Sequence, residues 1–139
     1  MLITRETDYG LRAILYLSQQ EEGQTVSTAD LSEVMGIPYR FLRKIVAKLV
    51  AAELINSKRG KGGGLTLARS GETITLLDVV TATEPDAVQL NECLVNPESC
   101  LRSGVCSLHE ILDTIQQRFI KELSAVNFAR LARMEKRRR

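Results

Sequence analysis

The sequence predicts a mainly α-helical fold with one small β-hairpin. Three observations carry this: apolar residues spaced by three and four along most of the chain, a glycine turn between two short capped segments, and a switch to strand-like runs on either side of a glycine cluster. At 139 residues, 44% of them hydrophobic, the chain is long enough for one compact domain with a real core and a protruding element.

The first helix is expected over residues 3–20. Leu11, Ile14, Leu15 and Leu17 form its apolar side, and Glu6 and Asp8 sit near its positive N-terminal end. Glu21-Glu-Gly-Gln24 ends it. Ser27-Thr-Ala-Asp30 then has the hydroxyl and the carboxylate of a capping box, starting a short helix over about 27–35. Gly36 suits a left-handed helix end, and Pro38 suits the first turn of the next helix, about 38–52. That helix is amphipathic: Leu42, Ile45, Val46 and Leu49 share one side, and Arg40, Arg43, Lys44 and Lys48 occupy the others.

Residues 54–58 and 65–69 read as two short strands around Arg59-Gly-Lys-Gly-Gly-Gly64, a hairpin with a cationic tip. Thr75 is positioned to cap a helix ending near Thr83. Pro85, Asn91, Pro97 and Gly104 then mark an irregular segment that encloses every cysteine of the chain. From 107 to 133 the apolar positions Leu108, Ile111, Leu112, Ile115, Phe119, Leu123 and Val126 predict a single helix of ~40 Å. A helix that long on a domain this small implies a partner helix, and hence a homodimer. The expected organisation is a winged helix-turn-helix domain over 1–84, a cysteine-containing loop over 85–106, and a dimerisation helix with a basic tail over 107–139. The run Lys136-Arg-Arg-Arg139 reads as a solubilising tail.

Charge is segregated along the chain. Residues 36–69 hold eight basic residues and one acidic one, while the flanking stretches 1–35 and 70–110 are acidic. A basic block of this kind is the footprint of a phosphate-binding surface. In a helix-turn-helix the second helix enters the ~12 Å major groove with its N-terminal residues nearest the base edges. Pro38, Tyr39, Arg40 and Arg43 are therefore the expected base readers, and Lys44 and Lys48 the expected phosphate contacts. Ser27 and Thr28 complete the set from the preceding helix. Lys58, Arg59 and Lys61 charge the wing, and Gly62 and Gly63 let its backbone approach the duplex. The glycine run lacks the spacing of a P-loop or a dinucleotide fingerprint, and no parallel sheet is expected to support either.

Cys93, Cys100 and Cys106 are the only cysteines. An odd, clustered set argues against a disulfide framework and for metal or redox chemistry. Gaps of six and five residues do not match the Cys-x-x-Cys knuckles of common zinc sites, and loops of this length can wrap an iron-sulfur cluster. Three thiolates leave one position for a fourth ligand, and His109, the only histidine, lies three residues after Cys106.

The ordered set of helix-turn-helix, Arg59-Gly-Lys-Gly-Gly-Gly-Leu65 wing, three-cysteine loop and C-terminal helix resembles the Rrf-two family of winged-helix transcription regulators, which includes IscR-type and NsrR-type proteins. The likeness covers essentially the whole chain, including the opening Thr7-Asp8-Tyr9. It implies a homodimer binding a pseudo-palindromic operator on double-stranded DNA, with an iron-sulfur cluster controlling affinity. Through IscR-type proteins it implies a [2Fe-2S] cluster on the three cysteines and His109, reporting cluster supply. Through NsrR-type proteins it implies a [4Fe-4S] cluster with Asp8 of the partner subunit as fourth ligand, sensing nitric oxide. The sequence departs from the family in the six-residue first cysteine gap and in Arg43 and Lys44, where IscR-type proteins carry acidic or neutral residues; a different operator is implied.

A zinc-bound or thiol-switched regulator on the same fold is the alternative. An enzyme is not expected, because no nucleophile, base and orienting group form a set. No apolar run reaches the ~18 residues of a membrane span, and residues 1–8 lack a signal-peptide pattern, so a cytoplasmic protein is expected.

Overall fold

The computed structural model describes residues 3–139; Met1 and Leu2, which open the expected 1–84 unit, lie outside the described residues. The elements in chain order are α1 (Arg5–Ser18), α2 (Thr28–Met35), α3 (Tyr39–Ala51), β1 (Ile55–Lys58), β2 (Gly64–Leu67), α4 (Leu76–Thr83), three short 3-10 turns (Glu92–Leu94, Pro97–Ser99, Ser103–Val105), α5 (Ser107–Ser124) and α6 (Phe128–Lys136). The expected fold class holds: a mainly helical winged helix-turn-helix with one antiparallel hairpin.

Local chemistry explains most of the boundaries. The Thr4 hydroxyl caps α1 by accepting from the Thr7 amide, and the Ser27 hydroxyl accepts from the Asp30 amide at 3.0 Å. Gly36 ends α2 in the left-handed conformation at φ 63°, and its amide and that of Ile37 close on the last carbonyls of the helix. Pro38 is the N-cap of α3, one position before the helix proper. At α4 the capping box is complete: the Thr75 hydroxyl accepts from the Asp78 amide while the Asp78 carboxylate accepts from the Thr75 amide.

One core joins these elements. It is formed by Tyr9, Ala13, Ile14 and Leu17 of α1, Leu31 of α2, Leu42, Ile45, Val46 and Leu49 of α3, Leu54, Ile55 and Leu65 of the hairpin, and Val79 of α4. The hairpin pairs Ile55 with Leu67 and Lys58 with Gly64. It is tied to the helix-turn-helix by mutual backbone hydrogen bonds between Leu65 and Val26, the residue before the α2 cap.

The single C-terminal helix expected over 107–133 is two helices. Asn127 leaves helical geometry at φ −102°, ψ 162° and caps α6, its side-chain oxygen accepting from the Arg130 amide at 2.9 Å. The chain here runs beside the start of α4. Leu76 N–H donates to Val126 O, Phe128 N–H to Ile74 O, and Ala129 N–H to Gly71 O. These bonds satisfy groups that a continuous helix would have kept for itself, and the turn swings Phe128 into the core, where it is 1% exposed. Burying a phenylalanine contributes about 1.5–3 kcal/mol, more than two extra helical residues would. α5 therefore spans only about 27 Å, and α6 lies against α1 as part of the winged head.

Candidate functional site

The nucleic-acid face begins at the α2–α3 turn. Pro38, Tyr39, Arg40, Arg43 and Lys44 are all exposed, and none of these cations forms an ion pair among the described residues. Phe41, absent from the expected set, is also 57% exposed. Ser27 is committed to its capping role, and Thr28 is half-buried at the start of α2.

Lys48 is placed differently from its neighbours. Its ammonium group lies 2.5 Å from a Glu6 carboxylate oxygen of α1 and donates at 2.9 Å to the carbonyl of Thr83, the last residue of α4. It ties α3 to two other helices, so in this arrangement its ammonium group is engaged within the fold, unlike the other cations of the helix. The helical wheel could not reveal this, because Glu6 and Thr83 are remote in sequence. Arg69, the last cation of the basic block, is similarly engaged by Asp78 at 3.5 Å and by the Thr73 carbonyl.

In the wing, Lys58, Arg59 and Lys61 are exposed and unpaired among the described residues. Gly62 is exposed, with positive φ, and Gly63 is half-buried. A Cβ on Gly63 would lie 2.3 Å from the Lys58 carbonyl oxygen. Turn closure alone therefore demands that glycine, whatever the wing approaches.

The cysteines lie on the arm formed by the three 3-10 turns and the start of α5. All are free and half-buried. His109 Nδ1 stands 3.4 Å from Cys93 Sγ, which brings together two of the expected ligands. Cys100 and Cys106 do not join them: among the described residues no group of three or more His, Cys, Asp or Glu side chains gathers as a metal site. Asp8 is on α1, paired with Arg12 at 2.7 Å. The donor chemistry fits an iron-sulfur cluster, three uncommitted thiols and an imidazole, and no residue of the three turns is buried, so drawing the remaining thiols inward breaks no core contact.

α5 exposes Leu108, Ile111 and Ile115 on one side, while Gln116 is its only buried residue and accepts from the Leu90 amide at 2.9 Å. Leu101 and Val105, just before it, are exposed as well.

A winged head with a cationic recognition helix, joined to a cysteine arm and an uncovered helix, matches a known family model, described as an iron-dependent transcriptional regulator, over residues 3–134. The chain belongs to the Rrf2 family. Among solved Rrf2-type structures, the global cysteine regulator CymR of B. subtilis superposes with a TM-score of 0.77 at 22% identity, covering 96% of this chain and 98% of that one. An oxidised form of Staphylococcus aureus CymR gives 0.74 at 22% identity, covering 95% and 96%. IscR of T. potens gives 0.74 at 20% identity, covering 98% and 88%. At these identities the superpositions establish the shared fold. Rrf2 membership makes the protein a DNA-binding transcription regulator of a family that is not enzymatic. No helix among the described residues is long and apolar enough to cross a membrane.

Proposed function

We propose that the protein is a cytoplasmic, homodimeric repressor whose affinity for a pseudo-palindromic operator is set by an iron-sulfur cluster held by Cys93, Cys100 and Cys106. The observation that carries this reading is the 3.4 Å approach of His109 Nδ1 to Cys93 Sγ on an arm with no core of its own. The same approach favours His109 as fourth ligand, and with it a [2Fe-2S] cluster, over a [4Fe-4S] cluster completed by Asp8 of the partner subunit. Asp8 would first have to leave Arg12, at a cost of only about 0.3–0.5 kcal/mol for an exposed helix pair, so its pairing does not disqualify it. A bound cluster supplies a labile, redox-active centre responsive to cluster supply, oxidants or nitric oxide.

The chain's own residues provide the route to DNA. The arm leaves from the end of α4, where Lys48 fastens α3, and leads into α5, whose exposed Leu108, Ile111 and Ile115 suit a second copy of the same helix. Ordering the arm fixes how two heads are spaced against half-sites about 34 Å apart. That difference in spacing is the differential stabilisation a switch needs.

A thiol-switched or zinc-bound regulator without a cluster is the second reading, favoured by the three free, half-buried cysteines and by the likeness to CymR. Anaerobic purification with an absorption spectrum and iron, sulfide and zinc analysis separates the two. A brown wild type that loses its chromophore in Cys93→Ala and has it altered in only one of His109→Ala and Asp8→Ala supports the cluster and names its ligand. A protein still colourless after anaerobic reconstitution overturns it.

A further inference from the structure

The exposed side of α3 carries a specific chemical message for DNA, and this inference rests on the DNA-binding reading. Arg40, Arg43, Lys44 and Ala47 follow the i, i+3, i+4, i+7 spacing of a single helix stripe. All four are exposed, opposite the buried Leu42, Ile45, Val46 and Leu49. The three cations make no ion pair among the described residues, unlike Lys48. From Tyr39 to Ala51 the helix contains no Asn, Gln, Asp, Glu, Ser or Thr, so apart from the Tyr39 hydroxyl its side chains offer donors or methyl groups and no acceptor.

In the major groove, guanine presents two acceptors, O6 and N7, in the spacing that a guanidinium matches with two hydrogen bonds. Adenine pairs a donor with its acceptor and is best read by Asn or Gln. Cytosine presents a donor and is read by Asp or Glu. A stripe lacking all four of those residues has no partner for the amino groups of adenine and cytosine. One turn further on, Ala47 presents only a methyl group, which can distinguish a base pair through contact with the thymine methyl. Arg40 and Arg43 are about 4.5 Å apart along the helix axis, close to the ~3.4 Å rise between base pairs.

We propose that each operator half-site is read through two guanines at adjacent or next-nearest base pairs, one by Arg40 and one by Arg43, with thymine favoured opposite Ala47. Lys44 adds charge to this stripe and can reinforce either guanine. Lys48, held by Glu6 and Thr83, reads nothing.

The test is selection from a random duplex library with the anaerobically prepared full chain, compared with Arg40→Ala and Arg43→Ala, whose folding is checked by thermal unfolding. Wild type should enrich half-sites containing both guanines. Each variant should lose the preference at one of them, discrimination there falling by roughly 5- to 150-fold. Replacing the selected guanines one at a time by 7-deazaguanine, which removes N7 without altering the protein, should weaken wild type at either position and leave each variant unaffected only at the guanine whose arginine it lacks. Enrichment of adenine or cytosine at the positions lost by the variants, or a guanine preference that survives in both, overturns the inference while leaving DNA binding intact. Failure to enrich any duplex, with no salt-dependent binding, overturns the DNA-binding reading and the guanine code together.

Discussion

The winged head and the cysteine arm are stabilised in different ways. Every member of the hydrophobic core lies in the stretch from α1 through α4, its connecting turns included, or in α6, whereas between Glu84 and Asn127 only Gln116 is buried. The arm instead exposes Val95, Leu101, Val105, Leu108, Ile111 and Ile115. The head can hold its reading surface in place with its own side chains. The arm has little core to hold its geometry, and on the proposed function a ligand on its thiols and a second copy over α5 would set it, the property wanted in a sensor.

The sharpest way to break this contrast is a truncation in each region. Phe128→Ala, in the core of the head, should cost about 3–5 kcal/mol in urea unfolding of the full chain. If it costs less than about 1 kcal/mol, α6 is not part of the head's core. Replacing both Leu108 and Ile115 by Asp should convert dimer to monomer in sedimentation, because each side chain would forfeit about 1.5–3 kcal/mol of burial against a second copy. The unfolding free energy of the full-length variant, compared with wild type at a concentration where wild type is also monomeric, should stay within about 0.5 kcal/mol. An unchanged dimer would place the interface elsewhere.

Between these extremes, Asn127→Ala should cost about 1 kcal/mol by removing the α6 cap, with Asn127→Ser recovering most of it. The smallest effect expected is on Lys48. Lys58→Ala should flatten the dependence of log K on log salt by about 0.9 for each wing that meets a phosphate, whereas Lys48→Met should leave that slope unchanged. A slope that falls equally in both variants would return Lys48 to the phosphate-binding set.

How much of this was legible in the sequence depended on range. Ser27, Gly36 and Thr75 act on backbone groups within three or four residues, so their residue types were enough to place helix ends. The helix break at Asn127 was hidden, since the apolar spacing runs unbroken through Leu123 and Val126 and neither glycine nor proline marks the site. What decides it is pairing with residues 71–76, far away in the chain. Within the candidate site, the Cys93–His109 approach was foreshadowed by proximity in sequence, whereas the inward turn of Lys48 depends on Glu6 and Thr83, and no local pattern encodes it. The stripe from Arg40 to Ala47 was readable as a period, but Ala47 and Phe41 carry no charge to draw notice.

The bonds that draw residues 126–129 back to the start of α4 also shape how such a protein can diversify. The chain leaves the head at the C-terminal end of α4 and returns beside its N-terminal end, two points about 12 Å apart on one eight-residue helix. Everything between is an excursion that begins and finishes at a fixed gap and adds almost nothing to the core. Changes of loop length or side chain inside that excursion leave the core of the reading head closed, which makes the arm a cassette on a self-supporting chassis.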